Sequence, residues 1–290
     1  MPSLLGDAMA LGCAAVWAAA VLLLRSMRGV PAVSLNLFKS ALAAALVVLT
    51  SLALGHRWEV HHRPADLAAL ALRGVLGLAV ADTLFLAGLA RVDASVAAVA
   101  DCIYSPTVIA LATVFLGEVP APGLIYGAPL VVLGLTAVAW SGGGATVVDR
   151  RGFALLLSGV MTTATGVVIA RPALARADLF EATAIRLLAG SAALLVVSAL
   201  RGRAREALSL MRPQRLWWRA IPAAVLATYV SMLLWLGGMK YGTASRAALL
   251  TQTGTLWLLF ASRLSGEAVT PRRALGALVA LVGVAVVLKM

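Results

Sequence analysis

The sequence has 290 residues, of which 62% are hydrophobic and 12% are charged, and its mean hydropathy is +0.97. Soluble proteins carry a charge on about a quarter of their residues, so this composition excludes an ordinary soluble protein. The net charge of +12 comes from basic residues that lie mainly in small groups between apolar runs. This distribution indicates membrane topology and not a nucleic-acid partner.

Ten continuously apolar segments, each bounded by charged residues, Gly or Pro, follow one another along the chain. A helix needs about 20 apolar residues to span a bilayer, whereas membrane barrel strands would alternate in polarity over about ten residues. We therefore predict an all-α membrane protein with ten transmembrane helices. The first is expected to be a membrane helix and not a cleaved signal peptide, because no basic residue precedes it. The segments are 3–24, 32–54, 66–89, 93–116, 122–140, 152–170, 180–200, 218–238, 243–262 and 272–289.

The chain also contains an internal repeat, which we interpret as two homologous halves. A glycine-rich stretch from Ser141 to Arg151 separates the first five apolar segments from the next five. A pattern of glycines, a glutamate and a proline occurs on both sides of this stretch with the same spacing. The two copies are Gly117, Glu118, Pro122, Gly127 and Gly134, and Gly266, Glu267, Pro271, Gly276 and Gly283.

Two halves of five helices each have a consequence for topology. Because five is an odd number, the second half must enter the membrane from the opposite side, which gives the inverted repeat of many secondary transporters. The predicted fold is therefore two inverted five-helix repeats, residues 1–141 and residues 152–290. Basic residues repeat as well, since Lys39 in the second segment is matched by Arg186 in the seventh.

Several of these residues together resemble the EamA-type half of the drug/metabolite transporter superfamily. Trp17 lies in the first segment, Lys39 early in the second and Pro106 in the middle of the fourth. The stretch Leu116-Gly117-Glu118 then precedes a fifth segment with spaced glycines, and its Gly-Glu unit is present in both halves. The resemblance covers nearly the whole chain. It implies a transporter in which Lys39 and Arg186 face a central cavity.

The chain departs from the family pattern in two places. Val119 and Ala268 follow the repeated glutamates, where the family often has a basic residue, so a Glu-Arg pairing role is not carried over to them. Thr255 stands in the second half at the position of Pro106 in the first. The second departure indicates that the two halves are not functionally equivalent.

Four charged residues within the predicted segments are candidate functional residues. A charge at the centre of a membrane helix costs about 2.5–3.5 kcal/mol on translocon scales, so such residues mark functional sites by default. The four are Lys39, Asp82, Asp101 and Arg186. Lys39 and Arg186 recur between the halves, which favours an architectural role, although an anionic substrate would need such cations. For Asp82, a functional role and a capping or solvated position near the membrane interface are equally open.

Asp101 is the strongest of these candidates. Tyr104 follows it at i+3 and shares its helix face, and Pro106 leaves the carbonyl of Cys102 without its helical hydrogen bond. Broken helices at mid-depth are where transporters bind substrates or coupling ions. The alternative is a structural ion pair between Asp101 and Lys39 or another buried cation.

Aromatic and polar residues complete the candidate site. Trp17, Tyr229 and Trp235 are candidates for lining an apolar substrate cavity, although Trp and Tyr also concentrate at bilayer interfaces. Gln252 in the ninth segment is a candidate polar contact from the second half, and a hydrogen bond between helices is the equally open alternative. The spaced glycines of the fifth and tenth segments predict close helix packing.

No cofactor and no metal site is predicted. His56, His61 and His62 cluster in one loop, but further ligands at suitable spacing are missing from the sequence, so these side chains are expected to face water or lipid headgroups. Glu118 and Glu267 are expected to cap or anchor the turn before the next helix.

These features favour a secondary active transporter, an exporter or exchanger of small metabolites such as amino acids or drug-like compounds. The two halves would alternate access to a central cavity, with protons as a candidate coupling ion through Asp101. An ATP-driven pump would need a phosphate-binding loop, which the sequence lacks. No enzyme activity is predicted. The alternatives are a lipid-handling or sensor membrane protein and, less favoured, an intramembrane aspartyl protease with Asp82 and Asp101 as its dyad.

The predicted partners are a small-molecule substrate, the lipid bilayer and protons. The sequence is compatible with a monomer or a homodimer. The expected location is the inner membrane of a bacterial cell, as a multi-pass protein.

Overall fold

The computed structural model of the chain is predominantly helical in the part that it describes, and that part contains no strand. The predicted all-α membrane class is confirmed. The described residues are 4–27, 29–55, 63–92, 100–140, 149–254, 256–257, 260 and 270–289. Predictions for some residues therefore fall outside the described part, namely those for His56, His61, His62, Thr255, Gly266, Glu267 and Ala268.

The helices follow the predicted segments in order, and two of the segments are divided by a π-helical stretch. The α-helices, numbered along the chain, are α1 (Leu4–Arg25), α2 (Ala32–Ala53), α3 (Pro64–Gly74), α4 (Asp82–Leu89), α5 (Tyr104–Leu116), α6 (Pro122–Trp140), α7 (Arg150–Arg176), α8 (Leu179–Leu200), α9 (Ala204–Ala207), α10 (Trp217–Ala224), α11 (Ser231–Tyr241), α12 (Ala244–Thr251) and α13 (Pro271–Lys289).

Six helices are long and apolar enough to cross a membrane. They are Leu4–Leu24, Ala32–Ala53, Pro64–Leu89, Arg150–Arg176, Leu179–Leu200 and Trp217–Tyr241. Shorter apolar helices occupy Tyr104–Leu116, Pro122–Ala137 and Ala274–Lys289. The predicted segments 93–116 and 243–262 extend into residues outside the described part. The structure thus shows a multi-pass helical membrane protein.

The third membrane helix of each half contains a π-helical segment, a feature that the sequence analysis did not predict. In the first half Val75–Ala81 joins α3 to α4, and in the second half Val225–Val230 joins α10 to α11. The residues that flank both segments keep helical backbone angles, so each chain segment continues as one long helix. A π-turn shifts the side chains around the helix axis and is frequent at functional sites.

The fifth helices of the two halves, α6 and α13, pack closely through their repeated glycines. A Cβ atom added at Gly127 would lie 2.7 Å from the carbonyl oxygen of Gly283, and one at Gly134 would lie 2.5 Å from that of Gly276. An early residue of one helix therefore meets a late residue of the other, and the two helices are antiparallel, as an inverted repeat requires. The close packing predicted for these glycines is confirmed.

The first helix of each half contacts the third helix of the other half. In α1, a Cβ atom added at Gly6 would lie 2.9 Å from the backbone nitrogen of Gly242, at the end of α11. In α7, a Cβ atom added at Gly159 would lie 2.8 Å from the carbonyl oxygen of Ala81, at the start of α4. The halves are therefore interlocked around one interior.

Ion pairs between the halves bridge one end of the helix bundle. Near the start of α12, Arg246 donates two hydrogen bonds to the carboxylate of Asp7 at 2.8 and 2.9 Å, and both residues are buried. Arg246 also donates to the carbonyl of Leu288, near the end of α13, at 3.3 Å. At the end of α7, Arg176 forms an ion pair with Asp66 near the start of α3. These forked contacts fix both distance and direction.

Glu118 adds a further contact between the halves at this end. Its carboxylate accepts hydrogen bonds from the backbone N–H groups of Ala244 and Ser245, at 3.1 and 3.2 Å, and from the Ser245 hydroxyl, at 2.8 Å. A carboxylate is favoured at a helix N-terminus by the free amides and the helix dipole. The expectation that Glu118 caps its own next turn is therefore corrected, because it caps α12 in the other half. We call the contacts of Asp7, Asp66 and Glu118 with the second half the inter-half latch.

At the opposite end of the bundle, the described residues provide a weaker charged contact between the halves. Arg91 and Asp149 lie 3.6 Å apart, and both side chains are exposed. Asp149 caps the start of α7 by accepting from the backbone N–H of Arg151 at 2.9 Å. A backbone hydrogen bond from Gly152 lowers the pKa of Asp149 below its ordinary value. Water screens an exposed pair at this distance. This pair therefore holds the two halves together less strongly than the inter-half latch does at the other end.

Candidate functional site

A cavity of about 180 Å³ lies between the two halves. Every site residue predicted from the sequence lines it except Tyr229. The predicted residues in its wall are Trp17, Lys39, Asp82, Asp101, Tyr104, Arg186, Trp235 and Gln252. Both π-helical segments also contribute to the wall, through residues such as Gly77 and Thr228. The fold thus brings together charged, polar and aromatic side chains from both repeats.

Tyr229 lies outside the cavity wall. Its hydroxyl forms a hydrogen bond of 2.6 Å with the hydroxyl of Thr50 in α2. The neighbouring residues Ala227 and Thr228 face the cavity instead, because the π-helical segment sets which side chains point inward. We therefore leave Tyr229 out of the site.

Lys39 and Asp82 form an ion pair in the cavity wall. The ammonium group of Lys39, in α2, donates to the carboxylate of Asp82, the first residue of α4. Lys39 is buried, and about a third of the Asp82 side chain is exposed to the cavity. The alternative pairing of Lys39 with Asp101 is therefore not what the structure shows. Together the two groups contribute no net charge to the site.

Asp101 lies at a break in the fourth membrane helix. Cys102 and Ile103 form a turn before α5 begins, and the backbone N–H of Ile103 bonds to the carbonyl of Ala100 at 3.2 Å. The carbonyl of Asp101 accepts a hydrogen bond from the side-chain amide of Gln252 in the other half. The Asp101 carboxylate lines the cavity and forms no ion pair with any described residue.

A second helix break stands at the equivalent place in the other half. After α12 the chain turns at Gln252 and Thr253, and the N–H of Thr253 bonds to the carbonyl of Leu250 at 3.2 Å. The first break was expected from Pro106, whereas no proline accompanies the second. The Gln252 side chain forms a hydrogen bond across the helices, and the residue also lines the cavity.

Arg73 is a cavity residue that the sequence analysis missed. It lies near the end of α3, and only 3% of its surface is exposed. Its guanidinium carbon is 5.1 Å from the centre of the Trp235 ring, and that of Arg186 is 5.4 Å from the same ring. The signal was present in the sequence, because Arg73 lies inside the apolar segment 66–89. Arg186 was selected because a charge inside a membrane helix is costly, and the same reasoning applies to Arg73.

Both arginines have guanidinium nitrogens that lack a hydrogen-bond partner. Nη1 of Arg73 and both Nε and Nη1 of Arg186 are buried without a hydrogen bond. The hydroxyl of Thr228 and the amide oxygen of Gln252 are likewise buried and unpartnered. Unpaired polar groups in a low-dielectric interior cost free energy unless a ligand or water satisfies them. The Tyr104 hydroxyl is a further open group in the wall. The cavity wall therefore presents open hydrogen-bonding capacity, part of it on cationic guanidinium groups.

Nothing in the described residues groups three or more His, Cys, Asp or Glu side chains closely enough to hold a metal ion. The histidine loop lies outside the described part.

Comparison with known proteins agrees with this architecture. The model of the EamA-like transporter family matches the chain twice, over residues 4–140 and 150–289. The crystal structure of another protein superimposes with a TM-score of 0.76, at 18% identity, over 97% of this chain and 96% of its own. It supports the fold alone. A search of curated proteins gives no match. Because the family model covers nearly all of both halves, the chain belongs to the EamA-like transporter family.

Proposed function

We propose that this protein is a secondary active transporter, an exporter or exchanger of small metabolites, built from ten membrane helices in two inverted halves. The observation that carries the proposal is the cavity between the halves, with charged and aromatic side chains from both repeats in its wall. Inverted-repeat transporters bind their substrates at such an interface and near helix breaks. The breaks at Cys102 and Gln252 both adjoin this cavity.

The inter-half latch supports alternating access as the mechanism. Its ion pairs join elements of opposite halves, so the cavity opens at that end only when the halves separate there. Rocking of one half against the other would break the latch and close the opposite end. We place the protein in the inner membrane of a bacterium, as a monomer or a homodimer.

The ion pair of Lys39 with Asp82 supports transport over hydrolysis. An aspartyl protease needs two carboxylates that share a proton. Asp82 is instead engaged by a cation, and Asp101 lines the cavity without an ion-pair partner in the described part of the chain. A catalytic dyad is therefore not favoured by this arrangement.

Purified protein in liposomes tests the proposal directly. We expect saturable flux of at least one member of a panel of amino acids, organic acids, sugars and drug-like compounds. Unlabelled compound on the opposite side should accelerate the exit of labelled compound, as alternating access requires. Liposomes without protein are the control. Absence of saturable flux across the whole panel would contradict a transport function.

Proton coupling through Asp101 is a finer part of the proposal. Asp101→Asn keeps the size of the side chain and removes its titration, so flux driven by a pH gradient should be lost while exchange without a gradient continues. Glu206→Gln, which changes a half-buried carboxylate outside the cavity wall that pairs with Arg203, should leave both rates unchanged. Unaltered gradient-driven flux in Asp101→Asn would remove this residue from the coupling step.

A further inference from the structure

We propose that the substrate is a small organic acid whose carboxylate is bound jointly by Arg73 and Arg186 over the ring of Trp235. The proposal rests on the transport function above and names its substrate class. It is carried by an arrangement in which two buried cations share one aromatic ring and form no ion pair with a residue that the structure describes.

The burial of the two arginines is the first step of the argument. Arg73 is 3% exposed and Arg186 is 2% exposed. Neither forms an ion pair with a described residue, and three of their nitrogens lack any hydrogen-bond partner. Guanidinium groups cannot escape this cost by losing a proton, because they stay charged in proteins. An incoming anion would therefore relieve a cost that the protein already bears.

The other charged groups in the wall form no ion pair with the two arginines, so an anionic ligand can bind them. Lys39 and Asp82 neutralise each other. Asp101 is the remaining carboxylate among the residues that line the cavity, and it forms no ion pair with either arginine. Two arginines against one carboxylate give the wall an excess of one positive charge. A ligand with a single negative charge would balance it.

The position of Arg73 is built into the fold by glycines. A Cβ atom added at Gly77 would lie 1.8 Å from Nη1 of Arg73, and one at Gly166 would lie 2.9 Å from its Cδ. The guanidinium therefore occupies space that any other residue at Gly77 would take.

Arg186 is held against the same helix. A Cβ atom added at Gly74 would lie 2.2 Å from the carbonyl oxygen of Arg186, so only glycine lets α3 and α8 approach this closely. Trp235 supports both guanidinium groups through cation–π contacts. Close packing at these glycines thus positions the Arg73 side chain and the Arg186 backbone before any ligand arrives, which reduces the entropy cost of binding.

The remaining wall defines the rest of the ligand. Planar guanidinium groups match the planar geometry of a carboxylate and bind it through paired hydrogen bonds. Apolar and aromatic side chains, including Trp17, Phe85, Val160 and Met232, also line the cavity. Its volume of about 180 Å³ is below the range of about 300–1,000 Å³ typical of drug-sized sites. The geometry points to a small acid with an apolar or aromatic body.

Direct binding to detergent-purified protein tests this assignment without requiring transport. The probes are phenylacetate and short aliphatic carboxylates, each compared with its uncharged amide. A ligand that binds only the folded state raises the melting temperature. We expect stabilisation by at least one carboxylate and none by its amide. Stabilisation by an amide equal to that by its acid would overturn the proposal.

Variants locate the binding site. Arg73→Gln and Arg186→Gln should each weaken carboxylate binding by about tenfold or more, the effect expected from losing one charged hydrogen bond. Gly77→Ala should weaken it as well, because the new Cβ displaces the guanidinium of Arg73 and changes no charge. Arg219→Gln is the matched control, since Arg219 lies 4.5 Å from the ring of Trp218 and outside the cavity wall. Equal affinities of the wild type and both arginine variants would refute the site.

Further outcomes separate this proposal from the transport function. Carboxylate binding that depends on Arg73 and Arg186, combined with no flux in liposomes, would retain the site and remove the transporter. Saturable flux of uncharged or cationic compounds, with no carboxylate binding, would retain the transport function and refute the carboxylate site. Stabilisation by inorganic phosphate or chloride as strong as that by carboxylates would overturn the carboxylate assignment. If an arginine variant fails to fold, the comparison of acids with amides on the wild type still decides.

Discussion

Arg246→Met is expected to destabilise the protein by about 3–5 kcal/mol, because it leaves the carboxylate of Asp7 buried without a partner. The carboxylate now accepts two hydrogen bonds from the guanidinium, and each side chain is at most 10% exposed. The substitution also removes a donor from the carbonyl of Leu288. A lower midpoint of thermal unfolding in detergent, followed by the fraction of monodisperse protein, measures the effect.

Two further variants show whether the buried pair is the cause. The double variant Asp7→Asn/Arg246→Met should recover most of the lost stability, since removing both charges avoids the cost of one left unpaired. Arg203→Met breaks an exposed ion pair with Glu206 and should change stability little. Equal losses in Arg246→Met and Arg203→Met would show that the buried pair of Asp7 with Arg246 does not stabilise the fold.

Gly134→Ala is expected to force α6 away from α13 and to destabilise the protein by about 1–3 kcal/mol, the usual cost of overpacking. The added Cβ would lie 2.5 Å from both the backbone nitrogen of Ala280 and the carbonyl oxygen of Gly276. Neither atom can move without its helix. The thermal midpoint in detergent should therefore fall, and a disulfide introduced between the two helices should form more slowly.

Gly12→Ala is the matched control for this substitution. It changes a glycine within α1, where the nearest atom to the added Cβ is a side-chain methyl of Leu234 at 3.6 Å. That is an ordinary van der Waals contact. Alanine is preferred over glycine inside a helix by about 0.5–1 kcal/mol, so stability should stay unchanged or rise. A loss as large as that of Gly134→Ala would contradict the packing explanation.

The sequence predicted the fold class because apolar length and repeated glycines report directly on helices and their packing. Gly127 and Gly134 were identified from spacing alone, and the structure places both against the equivalent helix. Lys39 and Asp82 were selected as candidates because charges are rare in apolar segments, and both lie in the cavity wall. Glycine spacing and charges within apolar segments can be read from the sequence without knowing which helices pack together.

Other features depend on helix register and were not predictable. Trp235 and Tyr229 are both aromatic residues of the same long helix, yet only Trp235 reaches the cavity. The π-helical segment decides between them, and its residues, Val225–Val230, show no distinctive composition. The break at Gln252 likewise has no proline to mark it.

Arg73, in contrast, could have been predicted from the sequence, because it lies within an apolar segment.

The contact between Asp7 and Arg246 sets a constraint on biosynthesis. The two residues are 239 positions apart in the chain. At about 5–20 residues per second, translation separates their appearance by roughly 10–50 s. During that interval the carboxylate of Asp7 cannot form its ion pair with Arg246. The native interior therefore closes only after the last helices are made, and the nascent chain is most exposed to misassembly and proteolysis until then.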